Sequence, residues 1–265
     1  MSPALRTALV VIGAFAAVVL ASVFYSRVLR QAPVETASRP TPGVAADAPP
    51  LHPGIEAGLR ALKDNRLDEA RTSFESVPAS DPSYFIARGQ LASALLRAGD
   101  ARGSVRVLEE LAALQPDSPE IAERLAWGYY RLGDPERAEL NALRGVEIDG
   151  TRAQLRYAVG LFRLAAGRTI EAVPAYKRAM EADTGRRNVG DALMQLFTLG
   201  AERPDLPGVH YVAAFFANAM QRPELERQEL ERFLEAESSG PLAANARAQL
   251  LELGPTRSAS PDPSP

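Results

Sequence analysis

Residues 122–138 read Ala122-Glu123-Arg124-Leu125-Ala126-Trp127-Gly128-Tyr129-Tyr130-Arg131-Leu132-Gly133-Asp134-Pro135-Glu136-Arg137-Ala138. Small residues stand at both Ala126 and Ala138, and Gly133-Asp134 lies between them. Steps of 34 residues in either direction find the same arrangement. The small pairs are Gly58 and Ala70, Ala92 and Ser104, Gly160 and Ala172. Between them lie Asn65-Arg66, Gly99-Asp100 and Gly167-Arg168. Phe74, Leu108, Ala142 and Tyr176 follow the second small residue by four. A fixed period of this length marks a stack of helix pairs. Two antiparallel helices approach closely only where small side chains meet, and Gly or Asn supplies the positive φ of the tight turn between them. The second helices are expected to end at Pro82, at Pro116, at Asp149-Gly150 and at Asp183-Thr184-Gly185.

In this phase the chain resembles the tetratricopeptide repeat family, with repeats beginning at Leu51, Phe85, Pro119 and Ala153. The third carries Ala122, Leu125, Ala126, Tyr129, Ala138, Ala142, Gly145 and Gly150 at the family's marked positions. The fourth carries Val159, Gly160, Ala172, Tyr176 and Ala179, and no repeat has the family's first Trp. The resemblance implies an all-α fold: a right-handed α-solenoid of about five helix-turn-helix repeats. Four lie near 51–84, 85–118, 119–152 and 153–186. After Thr184 the register breaks. An inserted helix is expected over 187–200, a fifth repeat over 207–240 and a capping helix over 241–253. Phased from Pro207, the fifth repeat has Ala214, Leu230 and Phe233 in place. It also has the large Glu226 where a small residue is usual.

The N-terminal segment is of another kind. Ala8–Tyr25 has Ser22 as its one clearly polar member and is bounded by Arg6 and Arg27. A bilayer core of ~30 Å needs about 20 apolar residues, with a workable minimum near ~17. A single transmembrane or signal-anchor helix is therefore expected within 1–30, with Phe24, Tyr25, Arg27 and Arg30 at the interface. The competing reading is a signal peptide cleaved near Ala21, against which the apolar run continues through Val23-Phe24-Tyr25. A Pro-rich linker (31–50) and a disordered, Pro- and Ser-rich tail (254–265) complete the chain. Lys63 and Lys177 are the only lysines. Such an Arg bias suits a high-GC bacterium, and anchored repeat proteins of this family occur in bacterial envelopes. The expected location is a bacterial inner membrane, single-pass, with the repeats in the periplasm. The alternatives are repeats facing the cytoplasm, or a chain secreted after cleavage.

No chemistry stands out. The chain has 265 residues, no Cys, and a net charge of −3. The absence of Cys excludes disulfides, thiolate metal sites and Cys nucleophiles, and the charge gives no nucleic-acid footprint. His52 and His210 lack metal-ligand neighbours at helical spacing. There is no phosphate loop, dinucleotide fingerprint or nucleophile elbow. No catalytic, cofactor or metal site is expected, nor any nucleic-acid partner. The acidic run Glu224, Glu226, Glu229, Glu231, Glu235 and Glu237 is expected to form a solvated face, and Glu139 is expected to face solvent.

What remains is recognition. In the family, positions 2, 5, 9 and 12 of each first helix line a concave groove, one helical face by their spacing. Here they give Ile55, Leu59 and Leu62; Ile86, Ser93 and Leu96; Glu120, Glu123, Trp127 and Tyr130; Tyr157, Leu161 and Leu164. Tyr211 and Phe215 continue the series if the fifth repeat is in phase, and Arg97 and Arg131 add a basic edge. Aromatic and Arg side chains are the usual interface anchors. Trp127, Tyr130, Tyr157, Arg97, Arg131, Tyr211 and Phe215 are thus the expected partner-binding residues. The Lys and Asn of the family's carboxylate clamp are missing from its positions. The expected function is a non-enzymatic, membrane-anchored scaffold or adaptor that binds a protein or peptide in the groove, as in envelope assembly or cytochrome c maturation. The alternative is a structural subunit of an envelope complex that assembles through its convex or terminal surfaces.

Overall fold

The computed structural model describes residues 50–254. The expected membrane helix, the linker up to residue 49 and the tail from residue 255 lie outside the described residues. The chain divides into residues 1–50 and 51–265, and the twelve described helices all belong to the second unit. Among the described residues no helix is long and apolar enough to cross a membrane.

Eight helices form four pairs: α1 (Pro53–Lys63) with α2 (Leu67–Glu75), α3 (Tyr84–Arg97) with α4 (Ala101–Leu114), α5 (Pro119–Arg131) with α6 (Pro135–Ile148), and α7 (Ala153–Ala165) with α8 (Thr169–Ala182). From α1 to α8 each helix packs on its neighbours within the series, which makes an all-α helical-repeat solenoid. The small-residue period is the cause of the tight pairing. Ala70, Ala138 and Ala172 have no exposed surface, and Ser104 has almost none. A Cβ on Gly58 would lie 2.6 Å from Phe74 Cζ, and one on Gly160 would lie 2.8 Å from the Tyr176 ring. Only a bare backbone admits these rings.

The turn inside each pair is built one way throughout. Asn65, Gly99, Gly133 and Gly167 have φ of 59°, 85°, 75° and 76°. The next residue's N–H then reaches back across the turn: Arg66 to Ala61 O (2.8 Å), Asp100 to Leu95 O (2.9 Å), Asp134 to Tyr129 O (3.0 Å) and Arg168 to Arg163 O (2.9 Å). This left-handed closure satisfies carbonyls that the helix end would otherwise orphan. Asp100 and Asp134 also cap α4 and α6, accepting from Gly103 N (2.8 Å) and Arg137 N (3.0 Å). The first pair departs from expectation at its end. α2 stops at Glu75, not near Pro82, and Val77 turns inward to join Ile55 and Ala87.

After α8 come α9 (Val189–Glu202), α10 (Gly208–Ala219), α11 (Pro223–Ala236) and α12 (Pro241–Glu252). α10 and α11 pair as a fifth repeat in the phase read from Pro207. Gln221 occupies the left-handed position (φ 56°), and Arg222 N bonds Ala217 O at 2.9 Å. α12 packs on α11 and buries Ala243 and Ala246.

The inserted α9 reverses the direction of the helices after it. It packs on α7 and α10, and a single extra helix flips every later one. Two points along α10 show this. Near its start, a Cβ on Gly208 would meet Leu164 Cδ1 (3.0 Å) and the Thr169 side chain. Near its end, the Phe216 ring lies 6.5 Å from Tyr157 and 5.2 Å from Tyr176. So α10 runs antiparallel to α7 and parallel to α8. The first helices of the earlier repeats instead run alike: Arg124 of α5 reaches Gly89 O of α3, and Arg97 of α3 reaches Leu62 O of α1.

Asp183 fastens the joint at which α9 enters. Its carboxylate accepts from Asn188 N (2.9 Å), Arg187 N (3.2 Å) and the Tyr157 hydroxyl (3.4 Å), and it is buried. Burial alone would raise its pKa, but those hydrogen bonds more than offset this and hold it below the usual carboxylate value. A carboxyl depressed in the folded state stabilises above its unfolded pKa of ~3.9 and loses that contribution as pH falls through the folded value. Asp183→Asn should therefore lower the urea midpoint at neutral pH. The gap from the native chain should close as pH falls from the unfolded value through the lower folded one. A gap that does not change with pH would show that the carboxylate's charge is irrelevant to the joint.

Two solvent-facing expectations are corrected. Glu139 is buried, because Arg163 of α7 (2.7 Å) and Arg168 of the following turn both reach across and pair with it. In the acidic run, Glu226 and Glu229 are buried. Glu226 receives the Asn218 amide (3.0 Å), and Glu229 pairs with His210 (2.7 Å) and Arg232 (2.9 Å). The spacing of the run put these two carboxylates on the inner face of α11, and their partners make that burial tolerable.

Candidate protein-binding groove

The first helices α3 and α5 leave a cavity of about 490 Å³ between them. Its floor is Ala92, Leu96, Leu108 and Trp127. Ser93 and Ser104 add hydroxyls, and Glu120, Glu123, Arg124 and Arg131 form the rim. Of the groove positions expected on α3 and α5, Ser93, Leu96, Glu120, Glu123 and Trp127 line this cavity, and Ile86 and Tyr130 do not. Leu108 and Ser104 come from the second helix α4, so the cavity reaches down between repeats, deeper than a first-helix stripe indicates.

The expected site residues divide. Trp127 is half-buried, with its ring edge-on to Phe162 (5.3 Å) and Tyr130 (5.9 Å). Tyr130 packs on Phe162 (5.2 Å) rather than lining the cavity. Arg131 is exposed at the rim and makes no ion pair among the described residues. Arg97 is turned toward the preceding repeat, donating to Leu62 O (3.3 Å) and Asn65 Oδ1 (3.4 Å).

Tyr157, expected at the centre of the surface, is instead core, at 2% exposure. Phe216 and Tyr176 cover its ring, and burial together with Asp183 pushes its hydroxyl pKa up to about 12. Leu161 and Leu164 are buried with it. Tyr211 is buried against Phe233 (5.1 Å), and Phe215 is half-buried beside Phe216 (5.7 Å). Neither extends the groove, because α10 runs the wrong way to present the same face. Ile55 is also fully buried. Leu59 of α1 is exposed, and the cavity itself lies between α3 and α5.

Arg124 is not among the residues that positions 2, 5, 9, 12 and 13 single out. The available signal is its spacing: Arg124, Trp127 and Arg131 stand at i, i+3 and i+7, one stripe of α5. Its guanidinium donates to Gly89 O (2.6 Å) and Ser93 Oγ (3.3 Å). No carboxylate lies within ion-pairing distance of it among the described residues. Burial lowers its pKa, with Glu123 and Glu120 only partly opposing. Those two acids are held by Arg152, which stands just before α7, Glu123 at 2.8 Å. No cluster of three or more His, Asp or Glu fit to hold a metal ion occurs among the described residues.

A tetratricopeptide repeat family model matches residues 61–127, from the end of α1 to Trp127. Residues 61–127 are thus similar to tetratricopeptide repeats, modules that generally mediate protein–protein interaction. No curated protein matches the chain. Among solved structures, a crystal structure of MamA protein is similar at 14% identity. The similarity covers 70% of this chain and 90% of that one, with a TM-score of 0.48. A tetratricopeptide repeat protein from Parabacteroides merdae is similar at 14% identity over 76% and 97% of the two chains, TM-score 0.47. A thermophilic one from Thermus thermophilus is similar at 19% identity over 75% and 97%, TM-score 0.43.

Proposed function

We propose that this chain is a non-enzymatic, membrane-anchored adaptor that holds a protein or peptide partner in the groove between α3 and α5. The observation that carries the reading is the cavity itself: an apolar floor with an aromatic side chain, open between two repeats and rimmed by charge. A cleft of this size takes a large side chain together with its backbone. The apolar run Ala8–Tyr25 supports the anchor, in a bacterial inner membrane with the repeats on the periplasmic side.

Ser93→Phe in the full-length chain tests the groove, since it fills the cavity from a half-buried position. The partner captured by cross-linking in cells should be lost while thermal melting stays within a few degrees of the native chain. Undiminished capture by a folded variant would contradict the reading. The anchor is tested separately by intact mass: the purified chain should retain its first residues, and a mass beginning at Ser22 would show cleavage instead.

A further inference from the structure

The inserted helix α9 is apolar on two sides. Val189, Ala192, Leu196 and Leu199 are buried in the core it shares with α7 and α10. A second stripe, Gly190, Met194, Phe197 and Ala201, runs at i, i+4, i+7 and i+11, one helical face. This stripe is open to solvent. Met194 is 42% and Phe197 49% exposed, and a Cβ on Gly190 would meet nothing within 4 Å. The polar side chains keep to a third stripe, Asp191, Gln195, Thr198 and Glu202. A surface helix ordinarily turns its polar face outward, whereas α9 leaves an apolar stripe bare beside its polar one.

The bare stripe is symmetric about its own middle. Met194 and Phe197 are centred midway between Gln195 and Leu196, and so are Gly190 and Ala201. A second α9 laid antiparallel across the stripe, with a two-fold axis at that midpoint, sets Met194 level with the other copy's Phe197. It sets Gly190 level with the other copy's Ala201. A two-fold contact needs a patch that complements itself in this way. Small residues at both ends admit a close approach, and a thioether against an aromatic ring is a favourable central contact. Charge follows the same symmetry. The start of α9 carries the exposed Arg186, Arg187 and Asp191, an excess of one positive charge. Its end carries the exposed Glu202, Arg203 and Asp205, an excess of one negative charge. The antiparallel pair lays each positive end on a negative one, and a parallel pair would oppose like ends. Arg203 is already paired with Asp205 (2.8 Å), whereas Arg187 and Glu202 make no ion pair among the described residues.

We infer that α9 is a self-recognition surface: two copies of the chain pair antiparallel through Gly190, Met194, Phe197 and Ala201, with Arg187 of each beside Glu202 of the other. The inference goes beyond the groove reading. No residue of α9 lines the cavity between α3 and α5, so a pair of chains presents two such cavities. A single helix pair makes an interface of the weak, transient class, below ~1,200 Å², and covalent trapping reports it better than size does.

The chain has no Cys, so introduced thiols report without background. Gly190→Cys and Ala201→Cys would be made in two differently tagged full-length chains, expressed together and singly. The cells would be treated with a short, membrane-permeant bis-maleimide. Both positions are exposed, so neither substitution should shift the melt. The two variants together should give a linked species at twice the chain's mass that carries both tags. Each variant alone should give none, because like positions of an antiparallel pair stand about 16 Å apart along the helix, beyond the reagent's reach. Met194→Glu added to both chains should cut the linked species about fivefold or more with an unchanged melt, since it places a charge in an apolar contact. Leu251→Glu, on the exposed side of α12, should leave it unchanged. A linked species from either Cys variant alone would overturn the antiparallel arrangement. No linked species from the mixture would overturn the self-pairing. A species of another mass, with nothing at twice the chain's own, would make the stripe a docking site for a different chain and overturn the inference as well.

Discussion

Phe216→Ala should destabilise the repeat array by about 3–5 kcal/mol, the usual cost of emptying a fully buried aromatic site. Phe216 has no exposed surface and touches both helices of the fourth repeat through Tyr157 and Tyr176. It is therefore the bolt that joins the reversed fifth pair to the regular four. Phe215→Ala, one residue earlier and half-buried, should cost well under half as much. Urea denaturation of the two variants measures this directly. The Phe216 variant should also lose protection from hydrogen exchange in α10 and α11 before the first three repeats, since each unit of such an array leans on its neighbours. Equal costs for the two variants would mean that α10 does not dock along α7 and α8.

The second large effect is at the closest approach of α5 and α6. Ala138 has no exposed surface, and Ala138→Leu should overpack that meeting point at about 1–3 kcal/mol. Glu139→Leu should cost about 2 kcal/mol as well, by stranding Arg163 and Arg168 beside a lost carboxylate. Leu140→Ala, at 67% exposure, should stay within about 0.5 kcal/mol. Burial would raise the Glu139 pKa, but Arg163 and Arg168 hold it below the ordinary carboxylate value. Its contribution is therefore present above about pH 4 and is lost as pH falls through the folded value. A Glu139→Leu variant as stable as Leu140→Ala would show that the inter-repeat pair is ornamental.

These two cases also show where the sequence was legible. The 34-residue phase located the pairing of small residues and the left-handed turns at Asn65, Gly99, Gly133 and Gly167, because backbone approach and positive φ restrict residue choice locally. The phase carries no information about what a residue meets on the next repeat. Glu139 lies beside inward-facing Ala138, and nothing near it in sequence says that Arg163 and Arg168 will cover it. The same limit explains the groove. Glu123 lines it, while Tyr157, in the equivalent position one repeat on, is core. The difference is made by an inserted helix some thirty residues later, which turns α10 over and closes the face. Arg124 was hidden for another reason. It lies outside the positions that mark the groove, and its lack of an ion pair becomes visible only once Arg152 is seen to engage the neighbouring acids.

Photo-cross-linking from two positions tests the binding groove most directly. A benzophenone side chain placed at Ser93, inside the cavity, or at Leu140, on the exposed outer side of α6, would be activated in cells that make the full-length chain. A groove that holds a partner gives an adduct with a different chain from position 93 and none from position 140. An adduct from position 140 at twice the chain's own mass, with nothing from position 93, would instead make the protein a self-assembling structural subunit and remove the groove from its function.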